Sequence, residues 1–245
     1  MKFVTYNLWE SNAGMPLRLR QIADALTEAN ADVACVQEAA DTARLLADLC
    51  GYPYILEKND LAVLSRFPME EADRLPHAMA VRVWYENMTI LVANAHLPWD
   101  SALEREKAIV QTVRGMGETE ADYSLLMGDF NSAADSSVYR YLTNAQSLLG
   151  SDAYFFDLAA AWAERMGKTP AATLDFRRNP RWKGQNTVEV NLRCDWIMLQ
   201  NPYPKALPVL EKCDIFGTAV SDETRLAPSD HYGLAAEIVF PKHDL

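Results

Sequence analysis

Eight polar side chains stand where the apolar, strand-like runs of this 245-residue chain stop. Asn7 lies in Thr5-Tyr6-Asn7-Leu8, Glu38 follows Val36-Gln37, and His96 sits in Asn94-Ala95-His96-Leu97. Asp129 and Asn131 fall in Gly128-Asp129-Phe130-Asn131-Ser132, Asp195 in Arg193-Cys194-Asp195-Trp196, and Asp230 and His231 in Ser229-Asp230-His231. Strand ends in α/β sheets are where ligand sites gather. Carboxylates and amides are hard oxygen donors that suit Mg²⁺ or Mn²⁺. Histidine beside a carboxylate holds a proton near neutral pH. Singly, each has an ordinary reading: Asn7 begins a turn, Glu38 favours a helix N-terminus, Asp129 and Asn131 form an Asx turn, His96 is a satisfied core histidine, and Asp230 caps a terminus. Their recurrence at strand ends is what points to one site.

The elements that must position them alternate along the chain. The segment 2–8 reads as a strand. Leu19, Ile22, Ala23 and Leu26 repeat at the spacing of one helix face. Residues 32–37 read as a buried strand, 42–49 as a helix closed by Gly51, and 61–65 as another strand. Residues 78–85 and 88–97 form a hairpin about Glu86-Asn87. A helix starts at Ser101 with Glu104 three residues on, the capping-box arrangement. A short strand at 125–127, a helix over 156–166, a long strand over 188–199 and a last strand over 231–240 follow. Side chains alternate across a strand. Asn94 and His96 therefore share a face with Ile90 and Val92. In the 188–199 strand, Asn191, Arg193 and Asp195 share a face too polar for a plain core, opposite Val188, Val190, Leu192, Cys194, Trp196 and Met198. The interleaving, with no Gly-, Pro- or Ser-rich linker, predicts one α/β domain over 1–245, and the hairpin predicts mixed sheets.

Composition bounds the partners. Apolar residues are 49% of the chain, with 10 Gly and 12 Pro, which excludes fibrous and low-complexity classes. No apolar run reaches the roughly 20 residues of a membrane span. The net charge of −11 disfavours tight binding to nucleic acid, which needs clustered Lys and Arg. Four cysteines without Cys-x-x-Cys spacing predict free thiols and no zinc knuckle. A strand-like N-terminus without a signal-peptide pattern predicts a cytoplasmic protein. One segment runs against the acidic average: 173–193 carries Arg177, Arg178, Arg181, Lys183 and Arg193 against Asp175 and Glu189, with Trp182 among them. That suits either a mobile substrate loop offering cations to phosphates and an indole for stacking, with Arg177, Arg178, Trp182 and Arg193 as its contacts, or a solvated loop with an ordinary charge fluctuation. Trp84, Trp99, Trp162 and Trp196 read as core or rim residues.

Taken in order, these motifs resemble the endonuclease/exonuclease/phosphatase superfamily of metal-dependent phosphoesterases. Gly128-Asp129-Phe130-Asn131 followed by Ser229-Asp230-His231 is the most specific pair. Gln37-Glu38, Ala95-His96-Leu97 and the Arg193/Asp195 pair extend the resemblance from Asn7 to His231. It implies a DNase I-like four-layer α/β sandwich, two mixed sheets packed face to face and flanked by helices. It implies a Mg²⁺- or Mn²⁺-dependent hydrolase acting on phosphoric esters, with Glu38 as the main metal ligand, Asn7 beside it and Asp230 in support. Asp129 would activate the attacking water, Asn131 would hold that water or the phosphate, and Asp195 would orient His231 against the phosphate. His96 would contact the phosphate from the opposite side.

A phosphodiester is the expected substrate. A hard cation offsets the negative oxygens that repel nucleophiles, and one metal with two histidines suits a diester. The DNA-repair branch carries Asn-x-Asp-Gly where this chain has Asn7-Leu8-Trp9-Glu10, which argues against an abasic-site nuclease. A nuclease of another kind, a sphingomyelinase-like enzyme and an inositol-phosphate phosphatase remain as substrate classes. A non-catalytic phosphate-ligand-binding domain is disfavoured because every expected group is present.

Overall fold

A computed structural model of the chain describes residues 1–185 and 188–241. In order the elements are β1 (Lys2–Asn7), α1 (Leu17–Ala29), β2 (Val33–Gln37), α2 (Ala43–Cys50), β3 (Tyr54–Lys58), β4 (Leu61–Ser65), β5 (Met69–Leu75), β6 (Ala78–Tyr85), β7 (Met88–His96), α3 (Ala102–Gly117), β8 (Tyr123–Asp129), α4 (Ser137–Leu142), β9 (Phe155–Asp157), α5 (Leu158–Arg165), β10 (Asp195–Gln200), β11 (Val209–Phe216) and β12 (Gly233–Val239). They form two six-stranded sheets, ordered β11-β12-β1-β2-β4-β3 and β5-β6-β7-β8-β10-β9. Each sheet has one parallel pair at its centre, β1/β2 joined through α1 and β7/β8 joined through α3. Antiparallel strands flank both pairs. No helix among the described residues is long and apolar enough to cross a membrane.

Alternation within the strands makes the layers. Phe3, Val33, Cys35 and Val63 of one sheet meet Val81, Ile90, Val92, Leu125 and Ile197 of the other in the central core. The opposite faces bury Val4, Ala34 and Leu64 under Ile22, Leu26 and Leu46 of α1 and α2. Likewise Leu91, Leu126 and Trp196 lie under Ile109 of α3 and Val138 of α4. The four-layer sandwich is therefore present. All four cysteines are free.

Three expected elements differ. The long strand over 188–199 shrinks to β10, and Val188 and Val190 are 90% and 60% exposed. Its partner β8 ends at Asp129, paired with Asp195, so residues upstream have no ladder to join beyond a single bridge between Leu174 and Leu192. The helix expected from 156 begins at Leu158, because Phe155–Asp157 pairs with β10 and Asp157 caps the helix by accepting from Ala160 N. The last strand starts at Gly233, leaving Asp230 and His231 in the approach loop. The hairpin turn at Glu86, the Ser101 cap and the αL closure at Gly51 form as expected.

At one end of the sandwich the inward faces turn polar. Thr5 and Asn7 of β1, Gln37 of β2, Asn94 of β7, Asp129 of β8 and Asp195 of β10 are all buried there. Two amides tie the sheets together at that end. Gln37 Nε2 donates to Asn94 Oδ1 at 2.7 Å, and Asn94 Nδ2 donates across the gap to the carbonyls of Val36 (3.0 Å) and Ala62 (2.9 Å). Gln37 Nε2 also donates to Thr5 Oγ1 at 3.1 Å.

Within the second sheet, β7 and β8 close up at Ala95 and Gly128, one residue before His96 and Asp129. Gly128 has φ +142°, and a Cβ there would lie 1.9 Å from Ala95 O. Only glycine fits without moving the backbone that carries both functional residues. Gly128→Ala should lower stability by more than about 2 kcal/mol in urea unfolding, through overpacking and backbone strain. Gly117→Ala at the end of α3, where a Cβ meets nothing within 4 Å, should be neutral or stabilising. Equal urea midpoints for the two variants would contradict the close-approach argument.

Candidate active site

The polar end of the central gap holds two histidine–carboxylate pairs facing one carboxylate. His231 Nδ1 lies 2.9 Å from Asp195 Oδ2, and His96 Nδ1 lies 2.6 Å from Asp60 Oδ2. The far nitrogens of both rings converge: His231 Nε2 and His96 Nε2 are each 3.9 Å from Asp129 Oδ2. His96 Nε2 is also 3.9 Å from Glu38 Oε1. Asn7 bridges the carboxylates, its Nδ2 donating to Glu38 Oε1 at 2.9 Å and to Asp129 Oδ2 at 3.0 Å. Glu38 Oε2 accepts from Glu10 N at 2.6 Å. Asn131 holds Asp129 through its backbone, N to Oδ1 at 2.8 Å, while its Nδ2 donates to Leu97 O at 2.9 Å. Ser229 Oγ donates to Asn7 O at 2.8 Å and accepts from His231 N at 3.1 Å, which ties the last loop to the first strand.

Backbone strain marks the same place. Glu38 and Asn131 adopt φ of +54° and +45°, a region costly for side chains with a Cβ. The turn at Glu38 lifts its carboxylate off the end of β2 toward Asn7 and His96.

Burial and charge set the protonation states. Burial alone would drive the His231 ring neutral, but the charge and hydrogen bond of Asp195 outweigh it and hold the imidazolium well above its usual range. His96 follows the same pattern: burial lowers it, and Asp60, Asp129 and Glu38 together raise it. Burial pushes the Asp129 carboxyl up and Asp195 pushes it further, with the two histidines offsetting part. Burial also raises Asp230, offset by His231 and reinforced by Glu38.

The sequence reading missed Asp60. It looked for polar residues at strand C-terminal ends, but β4 runs antiparallel to β2, so the start of β4 lies at the site. It also passed over Arg18, whose guanidinium is buried and donates to the carbonyls of Leu8, Trp9, Ser11 and Ala13. That side chain organises the loop between Asn7 and α1.

The basic segment differs from the expected mobile loop. Asn179 Nδ2 donates to Ser229 O and Asp230 O, Arg181 Nε to Ala227 O, and Trp182 Nε1 to Asp230 O. The segment therefore clamps the loop that carries Asp230 and His231. Trp182 is half-buried against Phe176, with ring centroids 4.6 Å apart, so its indole is spent on this anchoring. Arg177 and Arg178 are exposed and keep their guanidinium groups at the surface. Arg193 turns the other way, pairing with Asp157 at 2.7 Å beside the Tyr139 ring. It braces β9 and α4 and is not directed at the carboxylate cluster.

A sequence model described as the Endonuclease/Exonuclease/phosphatase family matches residues 4–231. The chain belongs to that family. Its fold is shared with truncated TDP2 from Caenorhabditis elegans at TM-score 0.74 and 17% identity, covering 98% of this chain and 97% of that one. Danio rerio TDP2 complexed with a single-strand DNA product superposes at TM-score 0.74 and 17% identity, over 96% and 97% of the two chains. Sphingomyelinase C from Streptomyces griseocarneus superposes at TM-score 0.67 and 17% identity, over 98% and 99%. No curated protein matches the sequence significantly.

Phosphoester hydrolases of this family generally use divalent metals, and the donor chemistry here fits a hard cation. Burial raises the carboxyls of Asp129 and Asp230, so positive charge placed among them would be stabilising. Asp129, Cys194 and His231 also lie within 4.8 Å of one another. That set is a poor metal site, because burial keeps the Cys194 thiol protonated and Asp195 keeps the His231 ring protonated. Glu38 and Asp230 offer carboxylate oxygens instead, while Asn7 turns its Nδ2 to Glu38 and Asp129 and its Oδ1 accepts from Trp9 N at 2.9 Å.

The Asp195–His231 pair makes a direct prediction. Asp195→Asn removes the charge but keeps the shape, so burial then dominates and the His231 titration should fall markedly. Proton NMR titration of the ring, assigned with His231→Gln, measures it. An unchanged midpoint would mean that Asp195 does not hold the proton.

Proposed function

We propose that this family member is a divalent-metal-dependent phosphodiesterase that hydrolyses its substrate by in-line attack of water on phosphorus. The observation that supports it best is the convergence of two carboxylate-backed imidazoles on Asp129 Oδ2, at 3.9 Å each. A space flanked by two N–H donors and one carboxylate suits a tetrahedral anion and the water that attacks it.

Glu38, with Asn7 and Asp230, would hold Mg²⁺ or Mn²⁺, which neutralises phosphoryl charge when bound. The remaining roles fall to the chain. Asp129 accepts the proton of the attacking water, and its raised affinity for that proton makes it a stronger base than an ordinary carboxylate. Asn131 fixes the Asp129 carboxylate through its backbone N–H and shapes the edge of the phosphate space. His231, kept cationic by Asp195, donates to a phosphoryl oxygen as charge builds there. His96, kept cationic by Asp60, donates from the other side and protonates the departing ester oxygen. The P–O bond to that oxygen breaks as the water oxygen bonds phosphorus, giving a monoester and an alcohol. Arg177 and Arg178, exposed on the segment that clamps the His231 loop, would add positive field for the substrate.

Hydrolysis of bis(p-nitrophenyl) phosphate should require Mg²⁺ or Mn²⁺ and stop with EDTA. Asp129→Asn and His231→Ala should each cost at least about 10²-fold in kcat. Asp129→Asn should leave the melting temperature unchanged or raised, because it removes a buried charge facing Asp195. Full activity in either variant, or turnover in the chelated protein, would overturn this reading.

A further inference from the structure

The loop after β1 turns at Trp9, which has φ +60°, a left-handed conformation that residues with a Cβ seldom adopt. The φ of a residue sets the direction of the peptide that follows it. Here the turn delivers two successive N–H groups to the carboxylate cluster. Trp9 N donates to Asn7 Oδ1 at 2.9 Å, and Glu10 N donates to Glu38 Oε2 at 2.6 Å. Asn7, oriented in this way, gives its Nδ2 to Glu38 Oε1 at 2.9 Å. Both oxygens of Glu38 are thus held from one turn of the chain.

The surroundings of Trp9 hold it in that conformation. Arg18 Nη2 donates to the Trp9 carbonyl at 3.1 Å. The ring is half-buried, and the guanidinium carbons of Arg18 and Arg181 lie over it, 5.2 Å and 4.8 Å from its centre. An indole face is the strongest aromatic partner for a cation, more so where water is partly excluded. Both arginines spend other N–H groups on backbone carbonyls: Arg18 on Leu8, Ser11 and Ala13, and Arg181 on Ala227 and Pro228. The carbonyls that Arg181 holds belong to the loop leading to Asp230 and His231. The indole therefore joins two loops that are far apart in sequence and meet at the cleft.

We propose that Trp9 is a positioning residue for Glu38: its ring, held by the guanidinium groups of Arg18 and Arg181, keeps the left-handed turn that fixes the carboxylate. The claim rests on the reading of Glu38 as the cation's carboxylate and deepens it. It makes Arg181 a determinant of cation affinity, although that side chain donates to none of the carboxylates. A carboxylate already held at both oxygens loses little freedom when a cation binds. Removing such outer support costs about 10- to 100-fold in metal affinity.

Two readouts on the full-length chain test it. The electron paramagnetic resonance signal of free Mn²⁺ gives cation affinity, and hydrogen exchange of the Glu10 amide, followed by NMR in the metal-free protein, reports the turn. Trp9→Ala should weaken Mn²⁺ binding about tenfold or more and deprotect the Glu10 amide, while Trp9→Phe should keep most of both. Arg181→Gln should weaken Mn²⁺ binding in the wild-type background and add little in Trp9→Ala, because both act through one contact. Three results would each overturn the proposal: unchanged Mn²⁺ affinity in Trp9→Ala where Glu38→Gln loses it, a Glu10 amide equally protected with and without the indole, or the same loss from Arg181→Gln in both backgrounds. If Trp9→Ala is too unstable to purify, Arg181→Gln decides alone, since it leaves the ring in place, and unchanged Mn²⁺ affinity there sinks the idea. A deprotected Glu10 amide in Trp9→Ala, with Mn²⁺ bound equally by wild type, Trp9→Ala and Glu38→Gln, would refute Glu38 as the cation's carboxylate and leave the positioning of Glu38 standing.

Discussion

The site depends on one buried side chain that crosses between the sheets. Asn94 belongs to β7, yet its amide bonds the carbonyls of Val36 and Ala62 and accepts from Gln37, all in the opposite sheet. Each of these groups is excluded from water, so leaving any of them unpaired costs the full penalty of desolvation. A fully satisfied buried network therefore admits one relative placement of the sheets, whereas apolar packing alone tolerates small slides. The residues next to the network are the ones that matter: His96 two beyond Asn94, Glu38 one beyond Gln37, and Asp60 two before Ala62. A shift between the sheets would misplace all three against Asp129, and a displacement of 1 Å is enough to lose much of a catalytic geometry.

Above that clamp the charges are arranged against their own comfort. Asp129 and Asp195 are both buried, and each repels the other. Burial, joined by Asp195 at Asp129 and by Glu38 at Asp230, raises the proton affinity of both carboxyls, and the histidines offset part of it. Catalytic groups need such shifts, since a carboxylate at its ordinary value is a weak base. The fold tolerates them because the layers beneath are densely packed and because Gly128 lets β7 and β8 approach closely at the point of greatest crowding. Strain at Glu38 and Asn131 belongs to the same balance, with local cost offset by the rest of the sandwich.

Much of this was legible in residue order alone. Polar residues at the ends of β1, β7 and β8 could be read because each closes a short, mostly apolar run. The fold class followed from the interleaving of strands and helices. What escaped reading lacked a periodic signal. β11 buries only Cys213 and interrupts its apolar residues with Glu211, Lys212 and Asp214, so nothing in it alternates. Asp60 precedes its strand instead of ending it. Arg193 looked like a site residue because it lies two positions from Asp195, but β10 begins only at Asp195, so strand alternation does not apply to it. Its pairing with Asp157 depends on β9, a three-residue strand too short to show a pattern.

The charge of the chain and the charge of the site pull in opposite directions, and their ranges decide which is felt. At physiological salt the surface charges are screened beyond about 8 Å, so a body of net charge −11 repels a long polyanion along its whole contact but acts weakly on one phosphate inside the cleft. Within that distance lie His96 and His231, held cationic by the half-buried Asp60 and the buried Asp195. Burial cuts the screening there, so these few charges act at close to full strength. On the phosphodiesterase reading, such a cleft would admit a single phosphate more readily than a chain of phosphates. Selectivity among single phosphates would then come from what is attached to them.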